Sequence, residues 1–321
     1  MANRTRSAPW FDFVSYGRMG RGERPNLTAV QIEHIRRTID RSPEVMIKVL
    51  SKGATTTRSV ATHIDYVGRK GELAIETDDG RILQEDGVGE SLAADWALDM
   101  ESEARALEPR AQQRAARLIH KLVFSMPPGT APDSVLRATR AFCREEFALK
   151  HRYAMALHTD EPHPHVHVFV KAMSESGQRL DIRKSTLRAW RESFAERLRE
   201  LGVPAHASSR QVRGVSAPRP SDGRYRSLQR GASTVVEGTP AKPNPAVVLE
   251  RRERSRSLVV GWTAAGDQLD QQGHHQLAHG VLQFARWLAD SPSRSFTDAT
   301  LDTASAQEAP PDKILERHPV R

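Results

Sequence analysis

Ten residues, 158–167, read His-Thr-Asp-Glu-Pro-His-Pro-His-Val-His and hold four of the chain's thirteen histidines. His165 and His167 are two apart, so on an extended strand both imidazoles leave the same face. His158 precedes a proline-containing turn and returns to that face from a neighbouring strand. Three imidazoles converging on one point make a divalent-metal site with coordination positions left open for a ligand.

Two upstream segments gain meaning beside this one. Residues 63–72 read His-Ile-Asp-Tyr-Val-Gly-Arg-Lys-Gly-Glu. Tyr66 falls at the end of a helix, directly before a glycine-flanked basic turn, where Arg69, Lys70 and the backbone N–H groups can hold a phosphate. Residues 121–130 read Lys-Leu-Val-Phe-Ser-Met-Pro-Pro-Gly-Thr, a strand that enters a tight polar loop at Ser125. Of the four tyrosines, Tyr66 alone joins an ordered setting to phosphate-binding neighbours. Tyr16 lies in a loose leader, Tyr153 in a strand, and Tyr225 beyond the regular sequence.

The elements that must position these residues follow from periodicity. Strands are predicted at 45–50, 118–124, 153–157 and 165–172, with a small hairpin of 73–77 and 81–84 around Asp78-Asp79-Gly80. Helices are predicted at 28–39, 55–67, 92–107, 132–149 and 187–201, with a further turn or two at 111–117. Strands and helices intermix and the histidines sit on adjacent strands. The expected class is therefore α+β, a two-layer α/β sandwich in which helices cover one face of a central antiparallel sheet. Residues 1–42 form a basic, partly disordered leader and 43–215 the folded domain. From 216 to 321 Pro, Ser, Gly and Arg dominate, which predicts a largely disordered tail with one helix near 271–288.

The totals bound the partners. A chain of 321 residues with net charge +8 and a pI near 9.9 favours polyanions, most simply nucleic acid. A single cysteine, Cys143, excludes an intrachain disulfide and a cysteine-based zinc ribbon. Its helical setting suits a small core residue. The sequence carries neither a membrane-length apolar run nor a signal-peptide core, which predicts a cytoplasmic protein. Other features read as ordinary surface: Arg137, Arg140 and Arg144 on one helix face, and His275 and His279 one turn apart without a third ligand. His63, one turn before Tyr66, is assigned no role.

Tyrosine, then strand-Ser-x-Pro-x-Gly-Thr, then His-x-Asp-x-x-His-Pro-His-x-His, in that order, resembles the three motifs of plasmid conjugative relaxases. These are mobilisation nucleases of the HUH endonuclease superfamily, here nearest the class that includes the T-DNA border nuclease. The resemblance covers about residues 44–214. It implies a relaxase-type sheet holding a metal under a histidine triad, and an enzyme that nicks one DNA strand at an origin of transfer. The strand stays attached through a 5′-phosphotyrosyl bond and is later rejoined during mobilisation. Motif matching makes Tyr66 the nucleophile and His158, His165 and His167 the metal ligands. Asp160 matches the acidic position, Ser125 a serine associated with DNA contact, and His163 is not counted as a ligand. Where related motifs often end in Asn this chain has Lys171, able to contact a phosphate or point to solvent. The implied partners are single-stranded DNA, accessory relaxosome proteins and a secretion coupling protein that the tail can address.

The chemistry agrees with the motif. A phenol of ordinary pKa near 10 attacks at neutral pH only if its proton leaves as the bond forms or its phenolate is stabilised. A bound Mg²⁺ or Mn²⁺, or alternatively Zn²⁺, withdraws charge from the non-bridging phosphate oxygens. Two roles are open to Asp160: acceptor of the tyrosine proton, or acceptor of an imidazole N–H whose tautomer it fixes. A phosphotyrosyl bond conserves bond energy, so rejoining needs no nucleotide, and no Walker-type loop is present. Rolling-circle replication initiators usually place their tyrosine after the histidines; here it comes first. A non-nicking DNA-binding accessory factor has no need of the complete tyrosine and triad.

Overall fold

The structure is a computed structural model that describes residues 10–11, 19–20, 26–50, 55–106, 117–210, 212–214 and 245–290. It divides into two compact units, 42–207 and the combination of 1–41 with 208–321. The helical turn expected at 111–117 lies outside the described residues except for Arg117, as do Tyr16 and Tyr225.

The unit 42–207 is built on a six-stranded sheet. After the short ladder of β1 (Trp10–Phe11) and β2 (Met19–Gly20), its strands are β3 (Met46–Leu50), β4 (Ile75–Thr77), β5 (Ile82–Leu83), β6 (Ile119–Ser125), β7 (Tyr153–His158) and β8 (His165–Lys171). Their spatial order is β3-β6-β8-β7-β4-β5, and every neighbouring pair is antiparallel. The class expected from sequence, α+β with a central antiparallel sheet, is the one observed.

Strand alternation divides the sheet into two faces. Leu122, Phe124, Met155, Val166, Val168 and Val170 point to one side, against α5 (Pro132–Glu146) and α6 (Lys184–Glu200). There Phe124, Phe142, Phe147, Trp190 and Phe194 interlock with ring centroids 5.0–5.9 Å apart, an edge-to-face pattern that adds to their burial. Cys143 is buried in this cluster and burial pushes its thiol well above the usual range.

Ile119, Ala154, Ala156 and Phe169 point to the other side, under Val60, Ile64 and Val67 of α2 (Thr57–Val67) and Leu92 of α3 (Val88–Asp95). Helices thus lie on both faces rather than one, because the i, i+4, i+7 apolar stripe of α2 requires a second apolar surface to cover. Gly89 lets α3 approach α2: a Cβ there would stand 2.2 Å from the Ala61 carbonyl oxygen. The continuous helix expected at 92–107 is broken at Ala97 (φ 50°) into α3 and α4 (Leu98–Ala106). Trp96 and Leu98 are both fully buried, and residues two apart on a straight helix face opposite ways.

In the other unit, α1 (Ala29–Ile39), α7 (Pro245–Gln271) and α8 (His275–Asp290) share a core of Ile35, Leu258, Trp262, Leu269, Leu277 and Val281. One helix was expected near 271–288, and the described residues of the tail hold two. The charged run at 250–256 hides the start of α7, and its apolar spacing (Leu258, Trp262, Ala265, Leu269) begins only afterwards. Among the described residues no helix is long and apolar enough to cross a membrane.

Candidate metal centre and active site

Register alone assembles the histidines. His158 of β7 pairs with His165 of β8, and His165 pairs in turn with Ser125 of β6. Directly opposed residues share a face, so Ser125, His165 and His158 form a row across three central strands. His167 lies in the next row on that face, between Val123 and Ala156. The three imidazoles stand with ring centroids 4.7–5.3 Å apart, and one ring nitrogen of each lies within 4.8 Å of the others.

Their protonation suits a cation. Burial, and then the neighbouring His158 and His165, push His167 down to about 3. Burial also lowers His158. Two rings have their tautomers fixed by backbone. His158 Nε2 lies 2.9 Å from the Val67 carbonyl and His165 Nδ1 lies 3.2 Å from the His163 carbonyl. A carbonyl only accepts, so each of these nitrogens carries the hydrogen and the other ring nitrogen keeps its lone pair. The lone pair of His158 Nδ1 then faces Asp160 Oδ1 across 3.8 Å. Two acceptors in that position leave a place for a cation. Neutral imidazoles oriented by backbone carbonyls, beside a carboxylate, are the donor set of a divalent-metal site. His163 and Glu161 pair with each other at 2.9 Å, both half exposed; with His165 they make a second, more open grouping.

Tyr66 is reached through the same contacts. A reciprocal cap between Thr56 and Ser59 starts α2, and the helix ends at Val67, whose carbonyl is held by His158. Tyr66 is 74% exposed. Tyr153, the other tyrosine among the described residues, is buried in the opposite face and pushed up to about 12 by that burial. Beyond Gly68 the chain makes a single turn in which Arg69 (φ 51°) and Lys70 (φ 53°) both adopt left-handed backbone. Side chains other than glycine take that conformation at a cost of about 1–2 kcal/mol each. Gly71 closes the turn, and a Cβ there would stand 2.7 Å from the Glu85 carbonyl carbon.

Arg69 and Asp160 form a 2.6 Å ion pair that joins this turn to the histidine segment. Burial works against it, but a backbone N–H and then the Arg69 guanidinium hold the Asp160 carboxyl below its ordinary value. Ser125 is buried beside His165. Lys171 is not brought to the triad. It lies four residues along β8 beyond His167, on the order of 13 Å at strand rise, and pairs with Glu175 at 3.7 Å.

Two residues near Tyr66 were given no role from sequence. His63 stacks on Tyr66 (centroids 6.4 Å) and meets Phe169 edge-on at 5.7 Å; burial and the Lys121 charge push it down to about 4. Lys121 lines an open groove with Tyr66 and His63. The signal for both was in the spacing. His63 is one turn before Tyr66, and Lys121 shares strand parity with Ser125.

Comparisons agree with this geometry. Residues 66–203 match the family described as "Relaxase: MobA/VirD2-like, nuclease domain". The sequence is 27% identical over 208 residues to a T-DNA border endonuclease VirD2 of Rhizobium rhizogenes, covering 60% of this chain and 47% of that protein. It is 28% identical over 203 residues to the T-DNA border endonuclease VirD2 of Agrobacterium fabrum, covering 58% and 44%. The chain thus spans about half the length of these curated relatives. A solved structure described as "Molecular Basis of Vancomycin Resistance Transfer in Staphylococcus aureus" aligns with 52% of this chain and 99% of its own, at TM-score 0.33 and 13% identity, too slight a likeness to bear on the fold. Residues 66–203 are a MobA/VirD2-like relaxase nuclease domain, from an endonuclease family, and distantly homologous to T-DNA border endonuclease VirD2.

Proposed function

We propose that this protein is a DNA relaxase that nicks one strand at an origin of transfer with Tyr66 as nucleophile and later rejoins it. One observation carries the reading: the residue directly after the exposed Tyr66 is hydrogen-bonded to the first histidine of the triad. The end of the helix that carries Tyr66 is thereby tethered to the triad, which supports their acting on one substrate phosphate.

In this mechanism the Tyr66 oxygen attacks phosphorus. The new O–P bond replaces the bond to the 3′ oxygen, which leaves as a 3′-hydroxyl after taking a proton. The product is a 5′-phosphotyrosyl strand, and attack by a 3′-hydroxyl reverses the step without a nucleotide cofactor. Tyr66 is open to water, which accepts its proton. Arg69 and Lys70, on the turn after the nucleophile, bind and orient the phosphate charge. What a divalent ion held by His158, His165 and His167 supplies when bound is positive charge at the non-bridging oxygens; Mg²⁺ or Mn²⁺ suits this work, and Zn²⁺ suits the imidazoles. Asp160, engaged by Arg69 and facing His158, acts as the positioning carboxylate rather than as the base. Ser125 contacts the strand beside the nick. The partners are single-stranded DNA in the cytoplasm, relaxosome accessory proteins and a coupling protein.

Incubation with labelled single-stranded oligonucleotides from DNA flanking the gene, with Mg²⁺ or Mn²⁺, tests this. An SDS-resistant protein–DNA adduct is expected, absent in Tyr66→Phe and with chelator. An adduct that persists in Tyr66→Phe removes the nucleophile assignment, and metal-independent cleavage removes the triad's role.

A further inference from the structure

Beside Tyr66, α2 and β6 wall an open groove of about 500 Å³. Ser59, Thr62, His63 and Tyr66 line it at the i, i+3, i+4 and i+7 spacing of a single helix stripe, and Lys121 lines it from β6. Among the described residues Lys121 is the only Lys, Arg, Asp or Glu that is buried, at 9% exposure. No carboxylate of the described residues stands within ion-pair distance of it. The same holds for Arg58, the other cation lining the groove. Arg69 at the site, and Arg81, Arg140 and Arg152 elsewhere in the unit, differ in that each holds a carboxylate.

The stem of Lys121 is buried and its ammonium opens into the groove without a carboxylate partner among the described residues. A fold keeps such a group where an anion arrives to meet it. Burial, and then Arg117, lower Lys121 from its ordinary value, which is the direction an anion in the groove reverses. The groove adds hydroxyls and a second cation, the mixture that binds phosphate oxygens, and Tyr66 forms part of its wall.

We propose that this groove seats a backbone phosphate of the DNA strand, flanking the one Tyr66 attacks, with Lys121 as its principal cation and Arg58 and Thr62 as supporting contacts. The proposal rests on the nicking reading above and adds to it a positioning site. The contact is electrostatic and independent of base sequence, so its removal weakens all single strands alike.

The test is fluorescence anisotropy of labelled dT20 on the full chain carrying Tyr66→Phe, with and without Lys121→Met, over a salt series. Lys121→Met is expected to weaken binding about tenfold at low salt and to reduce the slope of log K against log salt by about 0.7, one phosphate contact on a single strand. Its melting temperature is expected to hold, since Met keeps the buried apolar stem and no ion pair among the described residues is lost. Arg58→Ala, on the exposed helix surface, should lower the slope to a smaller degree and serves if Lys121→Met does not fold. An unchanged slope in the folded variants overturns the phosphate subsite while leaving the nicking reading intact. Absence of dT20 binding by the Tyr66→Phe parent overturns both. Inorganic phosphate should displace dT20 no better than chloride at equal ionic strength. Displacement that is stronger and depends on Lys121 marks a free-phosphate site and overturns the assignment to the strand.

Discussion

Nε2 of His158 donates to the carbonyl of Val67 across 2.9 Å, a bond between residues 91 apart in sequence. It makes His158 both a candidate metal ligand and the clamp on the end of the helix that carries Tyr66. Losing a buried hydrogen bond of this kind costs about 1–3 kcal/mol where the partner is left unsatisfied. His158→Ala is therefore expected to speed amide exchange across residues 67–73 as well as to abolish metal binding. His167→Ala, whose ring makes no hydrogen bond to that turn among the described residues, should abolish metal binding alone. Equal exchange in the two variants, read by hydrogen–deuterium mass spectrometry, would show that the clamp does not hold the helix end.

Asp160 and Arg69 carry the second link between turn and triad. Their side chains are 46% and 38% exposed, so the pair contributes at most about 1 kcal/mol to folding. Its effect should appear in the site instead. Asp160→Asn is expected to melt within a few degrees of wild type while binding Mn²⁺ about tenfold or more weakly, as loss of an orienting carboxylate does elsewhere. Titration calorimetry decides the role. Unchanged Mn²⁺ affinity together with lost nicking would return Asp160 to the part of proton acceptor.

Much of this site was legible in the sequence because strands obey a two-residue period. His165 and His167 had to share a face, and the short turn after His158 had to bring it alongside. The observed register does so, pairing His158 with His165. The geometry of the 68–71 turn was not legible. Consecutive left-handed residues at Arg69 and Lys70 violate local preference and are held by Gly71 and the Asp160 contact, which are tertiary facts. Lys121 escaped for the opposite reason. A lysine in a strand reads as solvated, and only the placement of α2 beside β6 buries its stem and brings its ammonium into the groove of Tyr66. The break at Ala97 escaped too, since no glycine or proline marks it.

His120 gives the folded protein an acid-sensitive point remote from the chemistry. Burial, with Arg117 and Arg179 adding to it and His151 nearby, pushes it down to about 4, against 6.5 ordinarily. The folded state therefore resists a proton that the unfolded chain accepts. Its stability is complete above about pH 6.5, falls by up to about 1.4 kcal/mol per pH unit between 6.5 and 4, and is constant with respect to this group below 4. Urea unfolding at several pH values in that window should show a shallower loss in His120→Phe than in wild type. Parallel curves would mean that His120 is protonated in the fold.

Removal of metal should be visible without any DNA. An ion that binds only the folded chain stabilises it by RT ln(1 + [L]/Kd), about 2.7 kcal/mol at one hundred times Kd. Two of the three imidazoles, His158 and His165, are oriented by backbone carbonyls, and burial pushes His167 down to about 3, before any ion arrives. Binding therefore needs little rearrangement and should raise the melting temperature by several degrees in Mn²⁺ or Zn²⁺. EDTA should reverse the shift. His165→Ala should cancel it, because His165 occupies the middle of the row between Ser125 and His158. His163→Ala should leave most of it, since that imidazole is engaged by Glu161 and contributes to the triad only through its backbone carbonyl. A shift that survived in His167→Ala and vanished in His163→Ala would move the ion to the more exposed grouping of Glu161, His163 and His165 and detach it from Tyr66.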